Sequence, residues 1–183
     1  MNGYLKAFFV SVTTFAATNI DDAFLLTLFF ARRVPTKRIV AGQYAGLGSI
    51  VVVSLIGAWG ALAIPHGWMR LLGLLPLAIG IKELLKARRT QPEQSRVDDY
   101  SVASIALVIF LNGADNIGVY VPFFVIDRPY LWLTLIVYAV LVLLWCFAVR
   151  WLGNHSLILR YVDRWGHWVV GLVFIALGIY VLS

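Results

Sequence analysis

Residues 15–30 read FAATNIDDAFLLTLFF, and this stretch decides the fold because it places two carboxylates inside an otherwise apolar run. That run extends from about Tyr4 to Ala31. Five more apolar runs follow, at about 39–64, 68–85, 100–126, 130–151 and 165–182. A helix that crosses a bilayer core needs about 20 apolar residues, and the runs are too long and too uniform for barrel strands. We therefore predict an all-α, six-span membrane protein.

The overall composition supports this class. Of 183 residues, 61% are hydrophobic and 13% are charged, whereas a soluble domain is about half apolar and about a quarter charged. The net charge of +6 does not indicate a nucleic-acid partner, because the basic residues lie in short connections rather than on one exposed face. The single cysteine, Cys146, lies in an apolar run, so there is no disulfide framework or thiolate cluster to expect.

The positions of the basic residues predict the orientation in the membrane. Twelve of the 15 Lys and Arg residues fall in the first, third and fifth loops. Short, positively charged loops stay on the cytoplasmic side. The remaining three are Lys6, Arg70 and Arg128. We therefore predict that both termini face the non-cytoplasmic side.

The chain also contains an internal repeat. It is carried by two polar residues followed by two phenylalanines: Asp21-Asp22 with Phe29-Phe30 and, 94 residues later, Asp115-Asn116 with Phe123-Phe124. Each half holds three apolar runs, so the second half enters the membrane from the opposite face, as in the inverted repeats of many secondary transporters. We predict a single membrane domain, 1–183, formed by three-span repeats at 1–85 and 100–183 and a polar cytoplasmic connector at 86–99.

Only three of the nine acidic residues, Asp21, Asp22 and Asp115, fall deep within apolar runs. Each carboxylate at the centre of a spanning helix costs about 2.5–3.5 kcal/mol on insertion scales. No basic residue lies at a comparable depth, so an internal salt bridge is not available. A bound cation or proton is the partner that the sequence predicts.

The residues beside these carboxylates carry neutral oxygen atoms. The segments Thr18-Asn19-Ile20-Asp21-Asp22 and Asn112-Gly113-Ala114-Asp115-Asn116 combine carboxylate, amide and hydroxyl groups, a ligand set that suits a hard divalent cation. Asn, Asp and Gly disfavour regular helix, so we predict that the first and fourth helices are interrupted there. The predicted metal ligands are Asp21, Asp22, Asp115, Asn19, Asn112 and Asn116, with Thr18 and Gln43 in support. Polar contacts between helices are the structural alternative for Asn and Thr.

The order of these motifs resembles the cadmium resistance transporter family, within the lysine exporter superfamily. The motifs are Thr18-Asn19-Ile20-Asp21-Asp22, Gly42-Gln43-Tyr44 with Gly46, Leu72-Gly73-Leu74-Leu75-Pro76, and the segment from Asn112 to Pro122. The resemblance covers nearly the whole chain. It implies a bacterial cytoplasmic-membrane protein that exports cadmium or a related divalent cation, while relatives in the superfamily move manganese, calcium or amino acids. Cadmium favours thiolates, and this chain offers only Cys146.

The function expected from these observations is secondary-active export of a divalent cation, with Asp22 and Asp115 as principal ligands and proton acceptors. No nucleotide-binding motif is present, so a proton or sodium gradient is the expected driver. We expect no enzyme activity and no cofactor; the partners are the lipid bilayer, the metal and the coupling ion, and a homo-oligomer is left open. The alternatives are export of an amino acid or small organic cation, an intramembrane aspartyl protease using Asp22 and Asp115, and sequestration without transport.

Overall fold

The computed structural model of the chain describes residues 3–61, 72, 74–86, 100–152, 168 and 172–182. All regular secondary structure in these ranges is helical, which confirms the all-α class. The α-helices in these ranges are α1 (Gly3–Thr18), α2 (Ile20–Ala31), α3 (Thr36–Ala61), α4 (Leu74–Lys86), α5 (Val102–Asn112), α6 (Ile117–Ile126), α7 (Leu131–Leu152) and α8 (Leu172–Leu182). Short 3₁₀ turns at Ala114–Asn116 and Arg128–Tyr130 precede α6 and α7.

Two of these helices are long and apolar enough to cross a membrane. They are α3, with 26 residues, and α7, which with its preceding turn extends over the 25 residues Arg128–Leu152. Two bent pairs, α1 with α2 and α5 with Ala114–Ile126, pass the same test if each pair is one broken span. The described part of the chain therefore holds two to four candidate spans.

The predicted total of six spans stays a prediction, because the runs at 68–85 and 165–182 lie partly outside the described residues. Residues 87–99, which form nearly all of the predicted connector, also lie outside them. The division into 1–85, 86–99 and 100–183 is therefore untested, as is the inverted orientation of the second half.

The outer surface of the helices is strongly apolar. Ile56 and Trp59 on α3 are 62% and 70% exposed, Leu111 on α5 is 64% exposed, and Trp151 on α7 is 66% exposed. A water-soluble chain rarely exposes apolar side chains on so many helices. This surface suits contact with lipid.

The first and fourth apolar runs are both interrupted, as the sequence predicts. Asn19 ends α1 with φ −105° and ψ 7°, and Gly113 ends α5 with φ −94° and ψ 16°. The chain bends by 55° at the first break and by 53° at the second. The two break residues are 94 residues apart, the spacing of the sequence repeat, so the two halves are interrupted at equivalent positions, although a 3₁₀ turn follows the second break and an α-helix follows the first.

The two breaks lie between two apolar clusters. The first cluster includes Phe15 from before the first break and Tyr120 from after the second. The second includes Leu26 from after the first break and Ile109 from before the second. Each broken span therefore passes from one cluster to the other at its break, so the polar residues of the breaks lie at the boundary between the clusters.

The halves of the chain interlock rather than fold separately. Helix α3 of the first half packs mainly against α5 and α6 of the second half, while α1 packs against α7. The α3–α5 contact depends on two glycines. A methyl group on Gly46 would lie 2.6 Å from Ile109 Cβ and 2.8 Å from the Ala106 carbonyl oxygen, and one on Gly42 would overlap Ile105. The absence of side chains at Gly42 and Gly46 allows the two helices to pack closely.

We expect Gly46→Ala to destabilise the fold by about 1–3 kcal/mol, because the added methyl group overlaps an adjacent backbone. Gly48→Ala, two residues along the same helix, is the matched control, since no atom lies within 4 Å of the added methyl group. There the better helix propensity of alanine should stabilise by up to about 1 kcal/mol. Thermal unfolding in detergent measures both changes. Equal unfolding temperatures for the two variants would contradict this packing.

Candidate cation site at the helix breaks

The central residue of the site is Asp22, in the first turn of α2. Its side chain is only 2% exposed. Gln43 on α3 donates a hydrogen bond from Nε2 to Asp22 Oδ2 at 2.8 Å, and Asn112 at the end of α5 donates from Nδ2 to Asp22 Oδ1 at 2.9 Å. The positive end of the α2 dipole also favours an anion at this position. A buried carboxylate is thus held by neutral donors from both halves of the chain.

Asn19, the residue at the first break, presents an oxygen to the same place. Its side chain is fully buried, and Nδ2 donates to the Phe15 carbonyl oxygen at 2.9 Å and to Thr18 Oγ1 at 3.1 Å. Because these bonds hold the amide nitrogen on the α1 side, Oδ1 is turned toward Gln43, whose Nε2 lies 3.5 Å away. The oxygens of Asn19 and Asp22 therefore converge on one amide nitrogen.

The other atom of the Gln43 amide is unpaired. Gln43 is fully buried, and its Oε1 has no hydrogen-bond partner within the part of the chain that the structure describes. A buried acceptor left unpaired costs about 1–3 kcal/mol, and native proteins leave few such groups. Gln43 thus brings an unused oxygen into a site that already contains a buried carboxylate and an amide oxygen.

Residues of the second half form hydrogen bonds with the residues at the first break. Thr18 Oγ1 and Tyr120 OH lie 2.6 Å apart, and Tyr120 also accepts a longer contact of 3.4 Å from Asn19 Nδ2. Asn116 Nδ2 donates at 3.0 Å to the main-chain carbonyl of Thr18, which the break has freed from regular helical bonding. Tyr120 and Asn116 therefore support the broken end of α1 through buried bonds.

The structure gives the three predicted aspartates different surroundings. Asp22 is buried, whereas Asp21 and Asp115 are only partly buried. They lie near enough to Asp22 to act on its charge, but the described residues contain no group of three His, Cys, Asp or Glu side chains arranged to hold a metal. Successive helical residues point about 100° apart, so Asp21 and Asp22 face different directions. The role of Asp21 and Asp115 as ligands stays a prediction.

Two polar residues escaped the sequence reasoning. Tyr120 lies in the motif from Asn112 to Pro122, one turn after Asn116 on the same helix face, but no site role was predicted for it. Asp127 falls between two apolar runs and so resembles a loop residue, yet its side chain is 6% exposed and accepts a hydrogen bond from Thr134. Its burial is decided by the packing of α1 against α7 and is not visible in the sequence.

The arrangement can bind a cation through oxygen atoms alone. Asp22 supplies the charge, Asn19 supplies an amide oxygen, and Gln43 supplies a second one if its amide rotates. Such a set suits hard divalent ions. Cys146, the one thiol, is buried among the side chains of the second apolar cluster.

Comparison with known proteins gives one result. The sequence model of a family described as cadmium resistance transporter matches residues 15–183. No curated protein and no solved structure matches the chain. The matched region includes both helix breaks and every predicted ligand.

We expect Tyr120→Phe to destabilise the protein by about 1 kcal/mol or somewhat more, because it leaves the buried Thr18 hydroxyl without this partner. Tyr4→Phe is the matched control, since Tyr4 is 59% exposed. Thermal unfolding in detergent should separate the two. The double variant Tyr120→Phe/Thr18→Val should cost less than the sum of the single variants, because both remove the same bond. Full additivity would show that the Thr18–Tyr120 bond does not stabilise the break.

Proposed function

Because the chain belongs to the cadmium resistance transporter family, we propose that it exports cadmium or a related divalent cation by secondary-active transport, with protons moving in the opposite direction. The proposed metal site is centred on Asp22 and includes Asn19 and Gln43. Asn112, Asn116 and Thr18 support it, and Asp21 and Asp115 act on it through their charges. The chain is a transporter in this proposal and not an enzyme.

The observation that carries this proposal is the way the Asp22 charge is compensated. Two amide groups hold it, one from each half of the chain, and no basic side chain of the described residues is paired with it. A salt bridge would compete with any cation that enters. Amide donors leave the negative charge in place, and each amide also carries an oxygen that can turn toward a metal.

The cation we propose replaces the Gln43 amide nitrogen. That nitrogen lies 2.8 Å from Asp22 Oδ2 and 3.5 Å from Asn19 Oδ1, so both oxygens already face one point. A half-turn of the Gln43 amide exchanges its nitrogen for Oε1, the oxygen without a partner. The same side chain then donates to Asp22 in the absence of metal and contributes an oxygen ligand in its presence.

The less buried residues mark a route into the site. Asn112 is exposed at the end of α5 and bonds directly to Asp22, and Asp21 and Asp115 are partly exposed beside it. The negative charges of Asp21 and Asp115 attract a divalent cation before it reaches the buried carboxylate of Asp22. These three residues would therefore act in delivery more than in the final coordination.

Proton coupling follows from charge balance. An empty site with a buried carboxylate and two more nearby is stabilised by taking up a proton, whereas a bound divalent cation favours ionised ligands. Metal and protons should therefore compete for the site, and metal binding should release protons. Sodium is the alternative coupling ion. Transport that follows a sodium gradient and ignores pH would replace the proton while leaving the carboxylate site unchanged.

Two other functions are less well supported. An amino-acid exporter needs a positive group for the substrate carboxylate, and none is paired with the site among the described residues; a small organic cation remains the closer alternative. An aspartyl protease needs two carboxylates that share a proton. Asp22 is instead bonded to two amides, and no hydrogen bond joins it to Asp115 in the described part of the chain.

We propose that the protein lies in a bacterial cytoplasmic membrane with both termini on the non-cytoplasmic side. Tyr4, at the start of α1, packs on Tyr130 and Trp132, with ring centroids 5.0 Å and 6.4 Å apart. The beginning of α1 and the turn before α7 are therefore on one side. This agrees with the distribution of basic residues, which places Lys6 and Arg128 together on the less basic side.

We expect Asp22→Asn to abolish metal transport while the protein still inserts and folds, because a neutral amide is less costly to bury than a carboxylate. Metal affinity should fall about 30-fold or more, equivalent to about 2 kcal/mol. Equilibrium dialysis of purified protein with cadmium and manganese measures binding, and everted vesicles loaded with a panel of divalent metals measure transport. Asp115→Asn should weaken uptake more than equilibrium binding.

The control for these variants is Asp99→Asn, which removes a charge from the polar connector and should leave binding and transport unchanged. Cys146→Ala tests whether cadmium needs the thiol; unchanged cadmium transport is expected. Wild-type metal export by Asp22→Asn would refute the proposed site. Transport of none of the metals by the unaltered protein would favour an organic cation as substrate.

A further inference from the structure

A second buried carboxylate lies away from the helix breaks. Asp127 is in the turn between α6 and the 3₁₀ turn that precedes α7, and its side chain is 6% exposed. It does not cap the turn that follows it. Thr134 Oγ1 on α7 donates to Asp127 Oδ2 at 2.7 Å, and Thr134 Oγ1 lies 2.8 Å from Ser11 Oγ on α1. The carboxylate therefore points into the α1–α7 contact rather than toward solvent.

The row of hydrogen-bonded hydroxyl groups that begins at Asp127 ends at a main-chain carbonyl oxygen, which can only accept a hydrogen bond. Ser11 Oγ lies 2.7 Å from the Ala7 carbonyl oxygen and donates to it. With Asp127 ionised, Thr134 donates to the carboxylate and the single Ser11 proton is shared between two acceptors. With Asp127 protonated, every bond can run one way, from Asp127 to Thr134, from Thr134 to Ser11 and from Ser11 to Ala7. The chain thus accommodates a proton on Asp127 without leaving a donor unpaired.

No charged group around Asp127 forms an ion pair with its carboxylate in the described residues, so none neutralises it in place of a proton. Lys6 on α1 acts on Asp127 through its charge, but its Nζ lies 4.5 Å from the centre of the Tyr180 ring and makes no ion pair with Asp127 in the described residues. Arg128 is the neighbouring charge on the same turn and is exposed. On α7, the titratable Tyr138 is near enough for the Asp127 charge to act on it.

Burial raises the pKa of the Asp127 carboxyl, and this effect exceeds the opposing effects of the Thr134 hydrogen bond and the Lys6 charge. Asp127 therefore holds a proton at a higher pH than an aspartate in water does.

Buried polar residues continue from this chain toward the metal site along α1. Ser11, Thr14 and Thr18 are all buried, and their spacing of three and four residues places them on one face of the helix. Ser11 and Thr18 are about 10 Å apart along the helix axis. Thr18 is the residue that bonds Tyr120 at the first break. One helix face thus carries polar groups from Asp127 to the metal site.

Helix α7 places another buried hydroxyl-bearing residue beside the polar face of α1. Tyr138 lies one turn after Thr134, is 3% exposed, and packs against Tyr120 with ring centroids 5.4 Å apart. The hydroxyl-bearing residues Thr14 and Tyr138 therefore lie between the two hydrogen-bonded clusters, one on each of the two helices that form the contact.

We propose that Asp127, Thr134 and Ser11 form a second proton-binding site, which takes up protons on the non-cytoplasmic side, at the end of a line of buried hydroxyl groups that leads along α1 to the metal site. This inference rests on the proposed antiport. A proton from water binds the Asp127 carboxylate, Thr134 then donates to Ser11 and Ser11 to the Ala7 carbonyl, and each hydroxyl keeps the one proton it began with. An exporter driven by inward proton flow needs entry on that side, where the predicted orientation places Asp127.

The test compares Asp127→Asn with wild type in proteoliposomes that contain a pH-sensitive dye. With cadmium as the metal, proton-driven transport should fall about tenfold or more. Cadmium binding, and cadmium exchange across the membrane at equal pH, should stay within about twofold, since neither requires net proton movement. Asp127→Glu should recover most of the proton-driven rate. Thr134→Val should slow it several-fold, whereas the control Thr13→Val, at an exposed threonine of α1, should not.

Unchanged proton-driven transport in Asp127→Asn would overturn the inference while leaving the metal site intact. Equal losses of exchange and of proton-driven transport would overturn it in favour of a structural role. Infrared difference spectroscopy gives a readout that does not require transport: a protonated-carboxyl band should titrate in wild type and be missing from Asp127→Asn. An identical band in both proteins would likewise overturn it, even if the unaltered protein transports no metal.

Discussion

The constraint on which the rest of the structure depends is the burial of the Asp22 carboxylate. A charge between two apolar clusters must be compensated, and here the compensation comes from side-chain amides of Gln43 and Asn112. The two helix breaks bring these groups together, because Asp22 begins α2 just after the first break and Asn112 ends α5 just before the second.

Both halves of the repeat contribute residues to this site, but their contributions differ. Both halves are interrupted at equivalent residues, Asn19 and Gly113, and the position equivalent to Asp22 is Asn116. Asp22 therefore carries the buried charge, while Asn116 donates to the Thr18 carbonyl and supports the opposite break. The first half supplies the buried charge and one neutral donor, Gln43, and the second half supplies the other donor, Asn112. Two buried carboxylates in equivalent positions would repel each other and would require a permanent counter-ion.

Helix α1 links the two polar clusters of the molecule. Its buried face carries Ser11 near Asp127 and Thr18 near Asp22, and the packing of α1 against α7 shields both from lipid. Hydroxyl groups suit this position because each can donate or accept, so the bonds can reverse when a nearby carboxylate gains a proton. Aliphatic side chains on that face would pack equally well but would leave no hydroxyl groups between the two carboxylates.

The sequence by itself determined the membrane class, the all-helical fold, the positions of both breaks and the family, because each depends on local composition and on motifs along the chain. It also showed that no basic residue lies as deep within the apolar runs as Asp21, Asp22 and Asp115. Only the tertiary structure decided which carboxylate is buried, which atoms of Asn19 and Gln43 face it, and that Tyr120 and Asp127 join polar clusters. Those outcomes depend on how α3 meets α5 and α1 meets α7. These contacts join residues far apart in the sequence, such as Ser11 and Thr134, 123 positions apart, and a sequence pattern does not specify the rotation of one helix against another.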